Sequence, residues 1–349
     1  MLQEKSTGWH FPLEDGCFIC VDKPKGPTSH QVDHWVRELT GVDKVGHVGT
    51  LDPQATGVLV MALGRAVKSI EIAHEQPKEY VAAMKLHAEA SEEKIREVFN
   101  IFKGVIFQLP PIKSAVVRRL RSREIYDLEI LEINGRDILF RVKCQSGTYV
   151  RTLCLDMGYI MGTRASMIDL RRVSSGPFKE SQCITLQQLS DYIELAKQGK
   201  DKLLRSSVYS QQFIVSPYAK VIVKDSTREN IAHGSDLYPG GIRMFIGEPL
   251  KGERVGVFTQ SGIFLGTGIM MVSFNQISDT KVIDFDRVVV DPRDSGQKKK
   301  KTEEAAPRPV TKFRPDRERN NPNRDRRYQE RQDRNYAGRK NDNRGQRRR

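Results

Sequence analysis

The sequence predicts an α+β body followed by a small β-barrel-like domain and a disordered tail, on three observations. Helical stripes and strand-like alternation interleave through the first two hundred or so residues. From Tyr218 to Asp291, short Val/Ile/Phe-rich segments alternate with glycine turns. After Pro292 apolar residues nearly vanish, so that stretch cannot bury a core.

Residues 17–22 read as a strand that ends at Lys23-Pro24-Lys25-Gly26-Pro27, where two prolines and a glycine force a loop. A helix should follow, because Val32, Trp35, Val36 and Leu39 fall at helical spacing, with Thr28 or Ser29 as N-cap and Gly41 past the end. A second amphipathic helix has Ser91 as cap, the stripe Ile95, Val98, Phe99, Phe102, and Gly104 as terminator. Asn134-Gly135 marks a hairpin. Phe140, Val142 and Cys144 then alternate with Arg141, Lys143 and Gln145, the pattern of a half-buried strand. Thr148 is expected to cap a helix that buries Val150, Leu153, Cys154 and Met157 and holds Arg151 in its first turn. Thr185-Leu-Gln-Gln188 is a capping-box pattern that opens another helix.

The formal charge is +14 over 349 residues. Residues 297–349 hold 20 Lys+Arg against 8 Asp+Glu, or +12, which leaves 38 against 36 in the body. If the body attracts a polyanionic partner it must do so by local patches, while the tail is expected to be a basic disordered appendage. Five cysteines without a signal peptide suit a reducing cytoplasm rather than a disulfide framework. Cys17 and Cys20 form a C-x-x-C, but a spacing of three on a strand sends the sulfurs to opposite faces, which favours packing over metal binding. No apolar run approaches membrane-spanning length.

The most informative stretch is Gly46-His-Val-Gly-Thr-Leu-Asp-Pro-Gln-Ala-Thr-Gly-Val-Leu59, which sets Asp52 on a glycine-rich turn. Read generically, Asp52 is a turn or cap residue. Phosphate-loop spacing is absent here and at Gly64-Arg-Ala-Val-Lys-Ser69, and no acidic neighbour supplies a magnesium set for an aspartyl-phosphate.

Six blocks occur in order: Lys23-Pro-Lys-Gly-Pro-Thr-Ser29, the Asp52 loop, Lys78-Glu-Tyr80, Leu109-Pro-Pro-Ile-Lys-Ser-Ala115, Ser146-Gly-Thr-Tyr-Val-Arg151 and Leu170-Arg-Arg-Val-Ser-Ser-Gly-Pro-Phe178. The series resembles the TruB family of pseudouridine synthases over residues 9–292. Lys113-Ser-Ala-Val-Val-Arg-Arg-Leu-Arg-Ser-Arg-Glu-Ile-Tyr126 is closer to the archaeal, dyskerin-like branch of H/ACA ribonucleoproteins, although Val117 stands where a basic residue is commoner. The resemblance implies a catalytic domain over 9–214 with a mixed, largely antiparallel sheet and flanking helices. It also implies a PUA β-barrel over 217–292, ahead of the tail at 297–349.

It further implies Asp52 as the essential carboxylate, Tyr80 against the target base, and Arg151 as a permanent cation partnering Asp52. His47, Tyr149 and Leu170 would line the flipped base. Lys113, Arg118, Arg119, Arg121 and Arg123 would grip RNA phosphates from a mobile loop. Isomerising uridine needs no redox cofactor, metal or nucleotide. The implied partners are a guide RNA, ribosomal RNA, tRNA, a zinc-ribbon protein, a small β-barrel regulatory protein and a kink-turn-binding ribosomal protein. A stand-alone tRNA enzyme shares the whole site, and a silent RNA-binding scaffold would not need Asp52, Tyr80 and Arg151 together.

Overall fold

The structure is a computed structural model and describes residue 13 and residues 16–110, 117 and 119–290. Lys113, Arg118 and the basic tail lie outside the described residues. The chain alternates short loops with β1 (Cys17–Lys23), α1 (Ser29–Thr40), β2 (Val45–Val48), β3 (Thr56–Leu63), α2 (Ile70–His74), β4 (Lys78–Leu86) and α3 (Glu92–Ile101). Next come β5 (Gly104–Gln108), β6 (Arg121–Asn134), β7 (Asp137–Cys144), α4 (Val150–Met161), β8 (Ala165–Ser175), β9 (Phe178–Lys179), α5 (Leu186–Lys197), α6 (Lys202–Ser207) and β10 (Val208–Ser210). The remainder is β11 (Ala219–Val223), α7 (Thr227–Ala232), β12 (Ile242–Ile246), β13 (Arg254–Thr259), β14 (Phe264–Met270) and β15 (Ile283–Val288).

Local signals account for most of these boundaries. Thr28 closes a capping box with Gln31 at the start of α1, and Gly41 ends that helix in the left-handed region at φ 68. Ser91 caps α3 and Thr185 caps α5, again with a reciprocal glutamine. Gly135, at φ 55, takes the first central position of the two-residue turn between β6 and β7. Two expectations differ. Thr148 does not cap α4: its hydroxyl donates to Gln145 O at 2.7 Å, and Tyr149 is the N-cap, with no side-chain capping bond. Trp35 is 38% exposed, because the stripe of α1 that reaches the core is narrower and centres on Val32 and Val36.

Among the described residues ten strands form one mixed sheet in the order β10-β1-β3-β8-β4-β7-β6-β5, with β2 added to β3 and β9 to β8. Every pairing in it is antiparallel except β3 with β8, which meet only at Thr56–Arg171 and Gly57–Arg172. Two helical layers cover one part each. Helices α3 and α4 pack Ile95, Val98, Phe99, Leu153, Cys154 and Met157 onto β4, β6 and β7. Helices α1, α5 and α6 pack Val32, Val36, Leu189, Ile193 and Leu204 onto β1 and β3. Tyr80 and Leu170 touch both clusters and so mark their seam.

The opposite face of β1 and β3 carries a third cluster that includes Phe258 and Phe264 of a second sheet. That sheet has five strands in the order β12-β11-β13-β14-β15 and its own core of Val221, Val223, Val255, Val257 and Leu265. The expected barrel is not closed among the described residues: β12 and β15 are opposite edges, and only the isolated Leu237–Ile283 bridge adds to β15. Three register shifts, at Ile222/Val223, Val257/Phe258 and Thr267/Gly268, curl the sheet without joining its edges. Arg254, held within the sheet by Asp286 at 2.7 Å, ties it to Glu75 at 2.5 Å, and Arg287 pairs with Glu71.

Cys17 and Cys20 do face opposite clusters, as the strand spacing requires. Cys20 Sγ lies 2.8 Å from Cys183 Sγ, a partner that sequence spacing did not indicate. That hydrogen bond and burial push the Cys20 thiol well up, and burial lifts Cys17 to about 12. Among the described residues no helix is long and apolar enough to cross a membrane.

Gly57 is the position on which the β3–β8 pair depends. Its φ is 96, and an added Cβ would collide with the Arg172 carbonyl. Gly57→Ala should cost about 2–4 kcal/mol through strain and lost pairing. Urea unfolding of the variant checks this, and a loss under about 1 kcal/mol would contradict the close approach.

Candidate active site

Asp52 stands in the loop between β2 and β3, and the loop is anchored residue by residue. Gly49, at φ 75, begins it. The buried Arg172 side chain donates from Nη2 to Gly49 O at 3.0 Å and from Nε to Val58 O at 2.7 Å, so one guanidinium holds both feet. Ser29 Oγ donates to Leu51 O at 3.1 Å and accepts from Leu51 N–H at 2.9 Å. The Lys23 ammonium is fully buried and donates to Pro24 O, Pro53 O and Ala55 O at 2.9, 3.3 and 2.8 Å. Gly26 N–H adds a bond to Pro53 O at 2.8 Å, and Ala55 N–H closes the turn on Asp52 O at 3.0 Å.

These anchors leave the Asp52 carboxylate outward. Its side chain is 57% exposed, and Arg151 Nη2 donates to Oδ2 at 2.7 Å. Arg151 reaches it from the first turn of α4, as the helix spacing predicts. An ion pair this exposed contributes under about 1 kcal/mol to folding. Its consequence is orientation: one carboxylate oxygen is held by a planar guanidinium.

Tyr80 sits on β4 opposite Arg172 of β8 and hydrogen-bonds to that guanidinium. Burial raises the phenol's pKa and Arg172 partly offsets the rise, so the hydroxyl keeps its proton at neutral pH. Leu170 pairs with Ala82 on the same two strands and packs at the seam of the cores beside Tyr80. Because β3 and β8 run parallel from Thr56–Arg171, the residues preceding each lie at one end of the pair, which sets the Asp52 loop next to Leu170.

His47 is held by Asp33, with Nδ1 2.8 Å from Oδ2, and its Nε2 is 3.1 Å from Thr50 Oγ1 in the Asp52 loop. Tyr149 precedes α4, and the buried Gln108 clamps its backbone: Tyr149 N–H donates to Oε1 at 3.0 Å and Nε2 donates to Tyr149 O at 3.2 Å. The candidate phosphate-binding cations divide. Arg121 and Arg123 pair with Gln108 and Ile106 across β6 and β5, so their half-buried side chains share the face that holds Tyr149. Arg119 is exposed ahead of β6.

Five positioning groups escaped the sequence reading: Lys23, Ser29, Asp33, Gln108 and Arg172. Two had a usable signal. Lys23 continues the inward alternation of Cys17, Ile19 and Val21, which places its stem on a buried face. Gln108 continues that of Ile106, although Val105 and Phe107 would have looked like the apolar face and are exposed. Lys78 is buried as well, donating to Ala73 O, His74 O and Gln76 O. Burial, followed by the Arg172 charge, lowers it to about 7, yet three carbonyl acceptors require the three N–H groups of the ammonium form.

Comparison with known proteins identifies the domains of the chain. Residues 37–94 and 87–150 match the N-terminal domain of the TruB family pseudouridylate synthases, 151–214 match the C-terminal domain of tRNA pseudouridylate synthase B, and 219–289 match the PUA domain. The probable tRNA pseudouridine synthase B of Thermoplasma volcanium is 52% identical over 276 residues, covering 79% of this chain and 78% of that one. The chain belongs to the TruB family of pseudouridine synthases. The probable tRNA pseudouridine synthase B of Methanocaldococcus jannaschii is 46% identical to this synthase over 277 residues, 78% of this chain and 82% of that one. Among solved structures, the synthase is similar to a chain of a Cbf5-Nop10-Gar1 complex, with TM-score 0.73, 38% identity, and coverage of 83% of this chain and 92% of that chain. It is also similar to a chain of an H/ACA ribonucleoprotein bound to a substrate RNA containing 2′-deoxyuridine, with TM-score 0.70, 37% identity, and coverage of 79% and 86%.

Ser29→Ala isolates the loop anchoring from the chemistry. Removing Oγ leaves the buried Leu51 N–H and C=O without their partner, at a cost of about 1–3 kcal/mol. With Asp52 free to drift, single-turnover pseudouridine formation should fall about ten- to a hundredfold at unchanged RNA affinity. Denaturant unfolding with rapid-quench rates checks both, and a normal rate in the folded variant would refute the anchoring role.

Proposed function

We propose that this synthase isomerises uridines of ribosomal RNA, directed by an H/ACA guide RNA within a ribonucleoprotein, with Asp52 as the catalytic carboxylate. The observation that carries the chemical reading is the 2.7 Å contact from Arg151 to Asp52 on a loop anchored at both feet. The reaction breaks the bond from N1 to C1′, turns the uracil, joins C5 to C1′, moves the C5 proton to solvent and returns a proton to N1. Asp52 acts either as nucleophile toward the nucleotide or as base toward a sugar proton. Arg151 orients it through the 2.7 Å contact. Docked RNA excludes water from this open pair, which strengthens it at the moment it is used.

Tyr80 presents a protonated phenol and a ring at the seam of the two cores, where a flipped base can stack. Leu170 supplies an apolar contact, and His47 and Tyr149 line the opening. Arg119, Arg121 and Arg123 supply cations for RNA phosphates on the approach. Lys113 and Arg118 belong to the same proposed patch by sequence. The five-stranded PUA sheet, joined through Phe258 and Phe264, would hold the end of the guide.

Similarity to chains of H/ACA complexes supports guide direction, together with small accessory proteins of the zinc-ribbon, β-barrel and kink-turn-binding kinds. The names of the curated relatives support a second reading, direct action on tRNA with the same active site. Assays with and without guide RNA, on ribosomal and tRNA substrates, separate the two. Guide-independent activity confined to tRNA would overturn the first.

Asp52→Asn keeps shape and removes the charge, so it should bind RNA normally and lose at least about a thousandfold in single-turnover rate. Turnover within tenfold of the parent would remove Asp52 from the chemistry. Arg151→Lys keeps a cation and loses the planar fork; a drop of about a hundredfold is expected if orientation is its task. A near-normal rate would mean that charge alone suffices.

A further inference from the structure

One cluster has the composition and spacing of a metal-ligand set, and two of its three members, His30 and Asp33, take no part in the proposed isomerisation. His30 and Asp33 lie one turn apart at the start of α1, and His47 comes across from β2. His30 Nδ1 is 3.3 Å from Asp33 Oδ2, and His47 Nδ1 is 2.8 Å from the same oxygen. Donor atoms of all three fall within 4.8 Å of one another, and among the described residues no other such group occurs. We propose that His30, Asp33 and His47 form a reversible site for a divalent transition-metal cation of the zinc class, which holds His47 against Asp33 when bound.

Three observations support the assignment. Bonds of about 2.0–2.1 Å to a tetrahedral zinc place ligand atoms roughly 3.3 Å apart; the His30–Asp33 separation of 3.3 Å matches this, and the His47–Asp33 hydrogen bond at 2.8 Å would open slightly to admit the ion. Asp33 is buried, and among the described residues no Lys or Arg pairs with it; its partners are two imidazoles, neutral unless protonated. A single His47–Asp33 hydrogen bond would already satisfy the strand histidine. His30, whose side chain is 82% exposed, brings a second nitrogen to the same oxygen with its ring edge-on to His47 at 5.0 Å.

The donor set selects the cation. Two nitrogens and one carboxylate suit zinc, copper or nickel rather than calcium or magnesium, which prefer oxygen. Metal on His47 Nδ1 places the ring proton on Nε2, which then donates to Thr50 Oγ1 as an outer-sphere bond. The exposed side of His30 leaves a position for water, so the ion can exchange. Because His47 lines the RNA opening in the function proposed above, a bound ion would fix that ring and slow turnover; this consequence rests on that reading, whereas binding does not.

The experiment titrates untagged protein with Zn2+ alone against a chromophoric chelator, without RNA. A Cys183→Ser background is used, so that the adjacent Cys20 and Cys183 sulfurs cannot supply a thiolate pair. One ion per chain is expected with a dissociation constant of roughly 1 μM or tighter, weakened at least about tenfold by His30→Gln and by Asp33→Asn. Circular dichroism of the exposed-site variant His30→Gln checks that it is folded. Equal affinity in parent and His30→Gln, or no binding below about 100 μM, would overturn the site. Saturating Zn2+ should slow pseudouridine formation in the parent and not in His30→Gln. Zinc binding with undiminished turnover would uphold the site and refute His47 as an RNA-facing residue.

Discussion

The candidate site depends on the capture of backbone carbonyls by two buried cations. Lys23 and Arg172 together hold Gly49, Pro53, Ala55 and Val58, which bracket Asp52 on both sides. A loop rich in glycine cannot hold a carboxylate steady by its own propensities, and its C=O groups would be costly to bury unpaired. Burying an ammonium and a guanidinium is also costly when each stands alone. The two costs cancel when donors meet acceptors, and the product is a rigid turn carrying an exposed acid.

The same economy shapes the rest of the opening. Tyr80 and Leu170 lie where two helix-covered clusters meet on one sheet, a place at which side chains reach the surface from both cores without belonging wholly to either. The short parallel contact of β3 with β8 joins the halves there, and Gly57 permits it. Gln108 then fixes the backbone of Tyr149, and with it the start of the helix that supplies Arg151. Rigid elements thus deliver each candidate group, and an RNA nucleotide would complete the enclosure.

The second sheet is attached through aromatic packing and ion pairs rather than through the site itself. Phe258 and Phe264 share a cluster with Phe18, Val58 and Val60, so the strand that bears the Asp52 loop on one end also carries the PUA sheet on its reverse face. Arg254 bridges both bodies by pairing with Glu75, while Asp286 of its own sheet holds the same guanidinium. RNA held by the smaller sheet would therefore meet the larger one at a defined offset.

Periodicity, capping residues and turn chemistry are local, and they made the helices beginning at Ser29, Glu92 and Leu186, the β6–β7 turn and the placement of Arg151 in a first helical turn legible in the sequence. The family blocks likewise marked out Asp52, Tyr80 and Arg151. Only the tertiary structure decided that Arg172 grips the feet of a loop more than one hundred residues earlier, that Cys20 meets Cys183, that Thr148 turns back to Gln145 instead of capping α4, and that the smaller sheet stays open among the described residues. The reason is physical. A buried donor is satisfied by whichever carbonyl the strand register brings within about 3 Å, and register depends on pairing between distant segments rather than on the residues beside it.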